Sequence, residues 1–268
     1  MKTFFNYVLA ALVAGLLAGC SKNSTGAFQG YVEGEYVYVA APLGGALEKL
    51  AVARGDAVKA GQVLFELERG SEAAALAQAE KNLAAAKTSL EFAESTYQRR
   101  KELRESPSAI VSAEELDKAR ADRDAATSQV AALQAALEKA NWASAQKQQF
   151  APADAQVHDT LYRQGEFVAA GNPVVVLLPP GNLKVRFFVP QEKLAQVKVG
   201  GTVSVQCDGA TKPFSATVNY IATQAEYTPP VIYSRETRAN LVFMIEAKFS
   251  PADAAELRPG QPADVEVK

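Results

Sequence analysis

A stretch beginning near Ala41 returns near Ala151 at a constant spacing of 110 residues, and this repeat limits the fold more than any other feature of the chain. Ala41 and Pro42 match Ala151 and Pro152. Gly55, Val58, Ala60 and Gly61 match Gly165, Val168, Ala170 and Gly171, while Asp56 answers Glu166 and Leu67 answers Leu177. Two glycines and a proline kept in register over such a distance mark a duplicated unit. Each copy reads as strand, turn, strand and a Gly-x-x-Val-x-x-Gly segment, whose glycines allow the positive φ of tight turns. Two such half-motifs are needed to enclose one core, so the expectation is one small β domain split open by the residues between the copies. The competing reading is two unrelated strand-turn-strand units with shared turn punctuation.

The inserted residues read as two helices. From Ser71 to about Glu105 the chain lacks Gly and Pro and is crowded with strong helix formers. Leu76, Leu83, Leu90 and Tyr97 recur every seventh residue with Ala79, Ala86 and Ala93 at the companion position, a heptad seam. A second segment from Ser112 to about Gln149 carries Leu116, Val130 and Leu137 in one register and Ala119, Ala126, Leu133 and Ala140 in the other, with Arg123 interrupting the first. Ser112-Ala113-Glu114-Glu115 reads as a capping box that starts this helix. The short link around Pro107 ends the first helix and forces the two to lie antiparallel. At 1.5 Å per residue, roughly 35 residues per helix give a rod of about 50 Å. The alternative is a helix pair folded back to cover the β domain.

The first residues resemble a secretory signal: Lys2, an apolar run from Phe4 to Leu17, then Leu17-Ala18-Gly19-Cys20. That last order resembles a bacterial lipobox, in which Cys20 becomes the lipidated first residue of the mature chain and its acyl chains hold the protein to a membrane. With Cys20 removed, Cys207 is the only remaining thiol, which leaves no intramolecular disulfide and reads as a small buried hydrophobe on a strand. A formal net charge of -2 with interspersed signs supplies no basic field for nucleic acid.

Beyond Asn182 come further strand-like runs: Leu183 to Val189, Thr202 to Gln206, Phe214 to Ile221, Leu241 to Phe249 and Ala263 to Val267, with a short helix around Gln191 to Val197. Turn residues at Gly200-Gly201, Asp208-Gly209 and Pro259-Gly260 separate them, and a small antiparallel barrel is the solution with fewest exposed edges. Catalytic signals are weak. The single histidine, His158, has no partner of metal-ligand spacing, and neither a Gly-x-Ser-x-Gly elbow nor a phosphate loop is present. Gly44 and Gly45 read as a hairpin turn. The expectation is a protein without enzymatic activity, cofactor or metal.

Split half-motifs flanking a helical hairpin, followed by a barrel and preceded by a lipobox, resemble the HlyD-type periplasmic adaptors, or membrane fusion proteins, of bacterial tripartite exporters. The halves, Ala41-Pro42 through Leu64 and Ala151-Pro152 through Asn172, are similar to halves of a lipoyl carrier domain, but the modified lysine turn of a carrier is replaced by the hairpin. The resemblance implies a mixed α and β fold: a split lipoyl-like β domain with an inserted antiparallel coiled-coil hairpin, then a small antiparallel β-barrel. It implies a homo-oligomeric ring, six copies by family resemblance, linking an inner-membrane transporter to a TolC-like outer-membrane channel. Arg99, Leu103 and Ser112 are similar to the triplet that engages the channel at the hairpin tip, although Ser112 lies about two residues late and is already explained as a cap. Glu226-Tyr227-Thr228-Pro229 and Arg235 to Phe243 are similar to adaptors paired with ABC-type exporters, and the chain stops after Leu257-Arg258-Pro259-Gly260, where adaptors of resistance-nodulation-division pumps continue. Ser21 follows the rule that sends lipoproteins to the outer membrane, whereas such adaptors sit on the inner one.

The expected organisation is a signal peptide at 1–19, a linker at 20–29, a first half with its leading strand at 30–67, the hairpin at 68–149, the second half at 150–180 and the barrel at 181–268. Two other functions stay open at this point. One is a structural envelope lipoprotein that self-associates through its coiled coil. The other is an adaptor for a proton-driven pump.

Overall fold

The computed structural model describes residues 27–106, 110–227 and 241–267. The signal segment with Cys20 and Ser21, Pro107 in the hairpin link, and residues 228–240 lie outside the described residues. Among the described residues two compact units result, one within Glu35–Pro180 and the other from 27–34 together with those of 181–267. The leading strand, β1 (Phe28–Gly34), belongs to the latter unit, not to the first repeat half with which the sequence groups it.

In the unit Glu35–Pro180 the first repeat copy forms β2 (Val37–Ala40), β3 (Gly45–Leu50), β4 (Ala57–Val58) and β5 (Val63–Leu67). The second forms β6 (Gln148–Phe150), β7 (Ala155–Thr160), β8 (Phe167–Val168) and β9 (Pro173–Leu178). These make two four-stranded sheets, β2-β9-β7-β4 and β6-β5-β3-β8, so each sheet takes two strands from each copy. The copies also hold each other by matched bonds. The Gly61 N–H donates to Ala151 O at 2.8 Å and the Gly171 N–H to Ala41 O at 2.9 Å. Likewise the Gly55 N–H donates to Val157 O at 2.9 Å and the Gly165 N–H to Leu47 O at 2.8 Å. Gly55 and Gly165 have φ of 94° and 92°, values that an L side chain resists, which is why the repeat keeps glycine there. Asp56 and Glu166 share a role too: each carboxylate accepts, at 2.8 Å, the N–H three residues before it, from Ala53 and Arg163. Leu47, Leu64, Phe65, Leu67, Val157, Val168, Val175 and Leu177 fill the common core.

Two local expectations need correction. Gly44 and Gly45 do not turn a hairpin; they carry the chain from β2 in one sheet to β3 in the other, and a Cβ on Gly44 would come within 2.9 Å of Val168 O. The second hairpin helix ends at Ala145 rather than near Gln149, because Gln148–Phe150 is needed as β6 against β5.

The hairpin consists of α1 (Gly70–Glu105) and α2 (Ala113–Ala145), which pack along each other and not along the strands. Leu83 and Ala119 are buried, and Leu76, Ala79, Ala86, Leu90, Leu116, Ala126, Val130, Leu133, Leu137 and Ala140 are half-buried, the heptad seam expected. Arg123, the interruption, lays its guanidinium over the Tyr97 ring at 4.4 Å from the centroid. A cation on an aromatic face is a favourable way to carry a charge inside a seam.

In the other unit, β1 is joined by β10 (Leu183–Pro190), β11 (Thr202–Cys207), β12 (Phe214–Ile221), β13 (Glu226–Tyr227), β14 (Leu241–Phe249) and β15 (Pro262–Val267). The order β10-β1-β15-β11-β12-β14, with β14 pairing back to β10, closes a six-stranded antiparallel barrel to which β13 is appended. Gly30 lets β1 approach β10, since a Cβ there would lie 2.4 Å from Arg186 O. Val32, Val185, Phe187, Val189, Val205, Ile245 and Val265 are wholly buried, and Cys207 is buried on β11, where burial pushes its thiol up. Lys184, Glu246, Arg186 and Glu33 form a charged ladder across β1, β10 and β14, with Lys184 2.8 Å and Arg186 3.0 Å from the Glu246 carboxylate and Arg186 2.8 Å from Glu33. Burial alone would raise the Glu246 carboxyl, but hydrogen bonds from Lys184 and Arg186 hold it below its ordinary value. The architecture is the mixed α and β fold expected from the sequence.

Candidate functional site

The end of the hairpin is built from the last turns of α1 and the first turn of α2. Arg99 and Leu103 stand four residues apart, hence on one face of α1. Arg99 is exposed and reaches Thr96 Oγ1 at 3.4 Å; Leu103 is 44% exposed. Ser112 is the N-cap of α2. Its hydroxyl accepts the Glu115 N–H at 3.1 Å and donates to Glu115 Oε2 at 3.0 Å, while its own N–H donates to the same oxygen at 2.9 Å. That N–H, followed by the hydroxyl, lowers the Glu115 carboxyl against a small opposing effect of burial. Arg100 adds an ion pair to Glu115 at 3.6 Å, and Arg104 Nη1 donates to Val111 O at 2.8 Å, fastening the link to α1. Arg99, Leu103 and Ser112 therefore share one end of the molecule's hairpin, but Ser112 is engaged in capping. Ile110, 78% exposed in the link, was not among the residues read from sequence.

At the opposite end of the hairpin, Lys147 follows α2 and is almost fully buried. Its ammonium donates to Gly44 O at 2.7 Å and pairs with Glu72 Oε1 on α1 at 3.0 Å, so one side chain binds both helices' roots and the β2–β3 connection. Burial would raise the Glu72 carboxyl, but hydrogen bonds from Lys147 and the Ser71 hydroxyl leave it below its ordinary value. The repeat contains the signal for this residue: Lys147 occupies the place of Val37, a charge where the other copy is apolar.

Residues 75–147, nearly the whole hairpin, match the family model described as "RND MFP, alpha-helical hairpin domain". A UPF0194 membrane protein from Citrobacter koseri is 27% identical, with 95% of this chain and 93% of that relative covered. YbhG of Salmonella paratyphi B, another UPF0194 membrane protein, is also 27% identical, covering 96% and 94%. Among solved structures, the membrane fusion protein Spr0693 of Streptococcus pneumoniae R6 shares the fold with a TM-score of 0.67 at 21% identity, over 90% of this chain and 98% of that one. The hairpin is thus similar to that of the adaptor family the model describes, and the chain as a whole shares the fold of Spr0693.

His158 packs against Tyr36, ring centroids 4.2 Å apart. Among the described residues no group of His, Cys, Asp and Glu is placed to hold a metal, and no helix is long and apolar enough to cross a membrane.

Proposed function

We propose that this chain is a membrane fusion protein that joins an inner-membrane exporter to a TolC-like outer-membrane channel for efflux or secretion. It acts as a ring of its own copies, six by family resemblance, held to the periplasmic face of the inner membrane by lipid on Cys20. The reading rests chiefly on the hairpin end, where Arg99 and Leu103 lie exposed on one face at the far end of a 36-residue helix. An arginine beside an apolar anchor is the composition of a protein-binding hot spot. Replacing Arg99 by Asp and Leu103 by Ser together is expected to abolish export while helicity and membrane location are kept. Normal export by that variant would end the assignment. Cys20→Ser is expected to move the protein from the membrane to the soluble periplasmic fraction.

For the transporter we favour an ABC-type partner, on the similarity of Glu226 to Pro229 and Arg235 to Phe243 to adaptors of that group. A proton-driven partner of the resistance-nodulation-division class is the second reading, favoured by the family match. That match covers only residues 75–147 and leaves the barrel outside it. A photo-crosslinking residue at Val199, 64% exposed on the barrel unit, separates the two by whether mass spectrometry identifies an ATPase-coupled or a proton-driven transporter.

A further inference from the structure

The geometry points to Lys147 as the residue that sets the direction of the hairpin: its ammonium braces the first turn of α1 against the β2–β3 connection and makes rigid a joint that would otherwise swing. Nothing in this joint depends on which transporter or channel the protein meets. α1 departs from β5 and α2 returns into β6, two paired neighbours whose ends meet where the Leu67 N–H donates to Lys147 O at 2.7 Å. Two chain crossings side by side hold a rod as two hinges hold a door, leaving one direction of swing open. Neither helix packs along a strand, so little apolar contact resists that swing. Lys147 does resist it. Its ammonium donates to Gly44 O at 2.7 Å, on the passage from one sheet to the other, and pairs with Glu72 Oε1 at 3.0 Å on α1. Among the described residues, Glu72 is the one helical side chain of the hairpin that bonds beyond the hairpin.

The two repeat copies differ where this brace is built. At the spacing of 110 residues Lys147 takes the place of Val37, Gly44 that of Asp154 and Gly45 that of Ala155. All three differences converge on one spot. A Cβ on Gly44 would come within 2.9 Å of Val168 O, and one on Gly45 would stand 3.1 Å from the Lys147 ammonium. In the other copy Asp154 instead accepts the Ala60 N–H at 2.8 Å, and Val37 packs against the common core. An apolar residue therefore satisfies the sheet at that place, and the burial of a lysine there, at 4% exposure, has another cause. Taking an ammonium out of water costs desolvation that its partners roughly offset. What the lysine contributes is one defined arrangement of helix and sheet.

A restraint at the root has leverage. Over a rod of about 50 Å, each 10° of swing carries the far end roughly 9 Å. The test measures that swing in the full-length protein by double electron–electron resonance between spin labels at Glu94→Cys on α1 and Gln164→Cys in the β domain, both exposed positions. Glu94 stands about 36 Å along the rod from its root, so 10° of freed swing widens the distance distribution by roughly 6 Å. Lys147→Met and Glu72→Ala are each expected to widen it by that much or more. Phe65→Leu, which loosens the core away from the brace, is expected to lower the thermal midpoint with the width unchanged. A second label pair within the hairpin, Glu94→Cys with Asp122→Cys, is expected to stay narrow in every variant, which locates the motion at the root. An unchanged width in both brace variants overturns the role of Lys147, as does equal widening in Phe65→Leu or widening within the hairpin itself. Should Lys147→Met fail to fold, Glu72→Ala decides alone, since it removes only a carboxylate at the edge of the brace and leaves the bond to Gly44 in place.

Discussion

The split β domain and the hairpin inserted in it share one compact unit yet are stabilised by different means. The β domain buries Leu47, Leu64, Phe65, Leu67, Val168, Val174, Val175 and Leu177 to 1% exposure or less. The hairpin, nearly half of that unit by length, buries only Leu83 and Ala119 among its helical residues, and its remaining seam is half-exposed. Small alanines bring the axes together but cover little apolar area, so the transfer energy per residue is low. What the hairpin lacks in core it recovers at its two ends, through the Ser112–Glu115 box and the Lys147–Glu72–Gly44 clamp. One region is built to be stable, and the other to present its end.

Five measurements would break or sharpen this contrast. Phe65→Ala is expected to destabilise the β domain by about 3–5 kcal/mol, whereas Leu90→Ala in the half-exposed seam costs about 1 kcal/mol; equal losses in urea denaturation would erase the distinction. Lys147→Met takes the ammonium from the Glu72 carboxylate, which is 19% exposed and keeps the Ser71 hydroxyl, and a cost of about 2 kcal/mol is expected, below that of a fully buried pair because water reaches the acid. The same pair has a pH signature. Because the Glu72 carboxyl is lowered in the folded state, its contribution is full above about pH 4.5 and disappears as pH falls through the lowered folded value. Lys147→Met is expected to flatten that acid dependence. Ser112→Ala is expected to cost about 1 kcal/mol, read as earlier loss of the signal from Trp142, the chain's single tryptophan, which lies in α2. Arg123→Ala removes the contact with Tyr97 and is expected to have the smallest effect of the set, visible as faster amide exchange in the middle of the hairpin with the β domain unchanged.

The parts legible in sequence are those set by short-range pattern. The repeat announced its glycine turns because Gly55 and Gly165 need positive φ, and the seam announced itself because heptad spacing survives in Leu76, Leu83 and Leu90. Ser112 was readable as a cap because the capping box is four consecutive residues. Membership of β1 was not readable. Phe28, Gly30 and Val32 alternate as in any half-buried strand, and their partners on β10 and β15 lie more than 150 residues away. Gln148–Phe150 was hidden by helix-forming neighbours, since tertiary pairing with β5 outweighs their propensity. At the tip, the Arg99 to Leu103 spacing could be read directly, but the exposure of each link residue could not.

The matched bonds between the two repeat copies have a consequence for how the protein is made. Neither copy has a complete sheet of its own, because each glycine amide finds its acceptor in the other copy. The first copy ends at Leu67 and the second begins only at Gln148, and an unstructured insertion of that size would have to be closed against chain entropy. Antiparallel helices form from local contacts and return their own ends together. The hairpin thus returns its own ends to one place: Leu67 and Lys147 are neighbours, and the Leu67 N–H donates to the Lys147 carbonyl at 2.7 Å, a clasp at the mouth of the insertion.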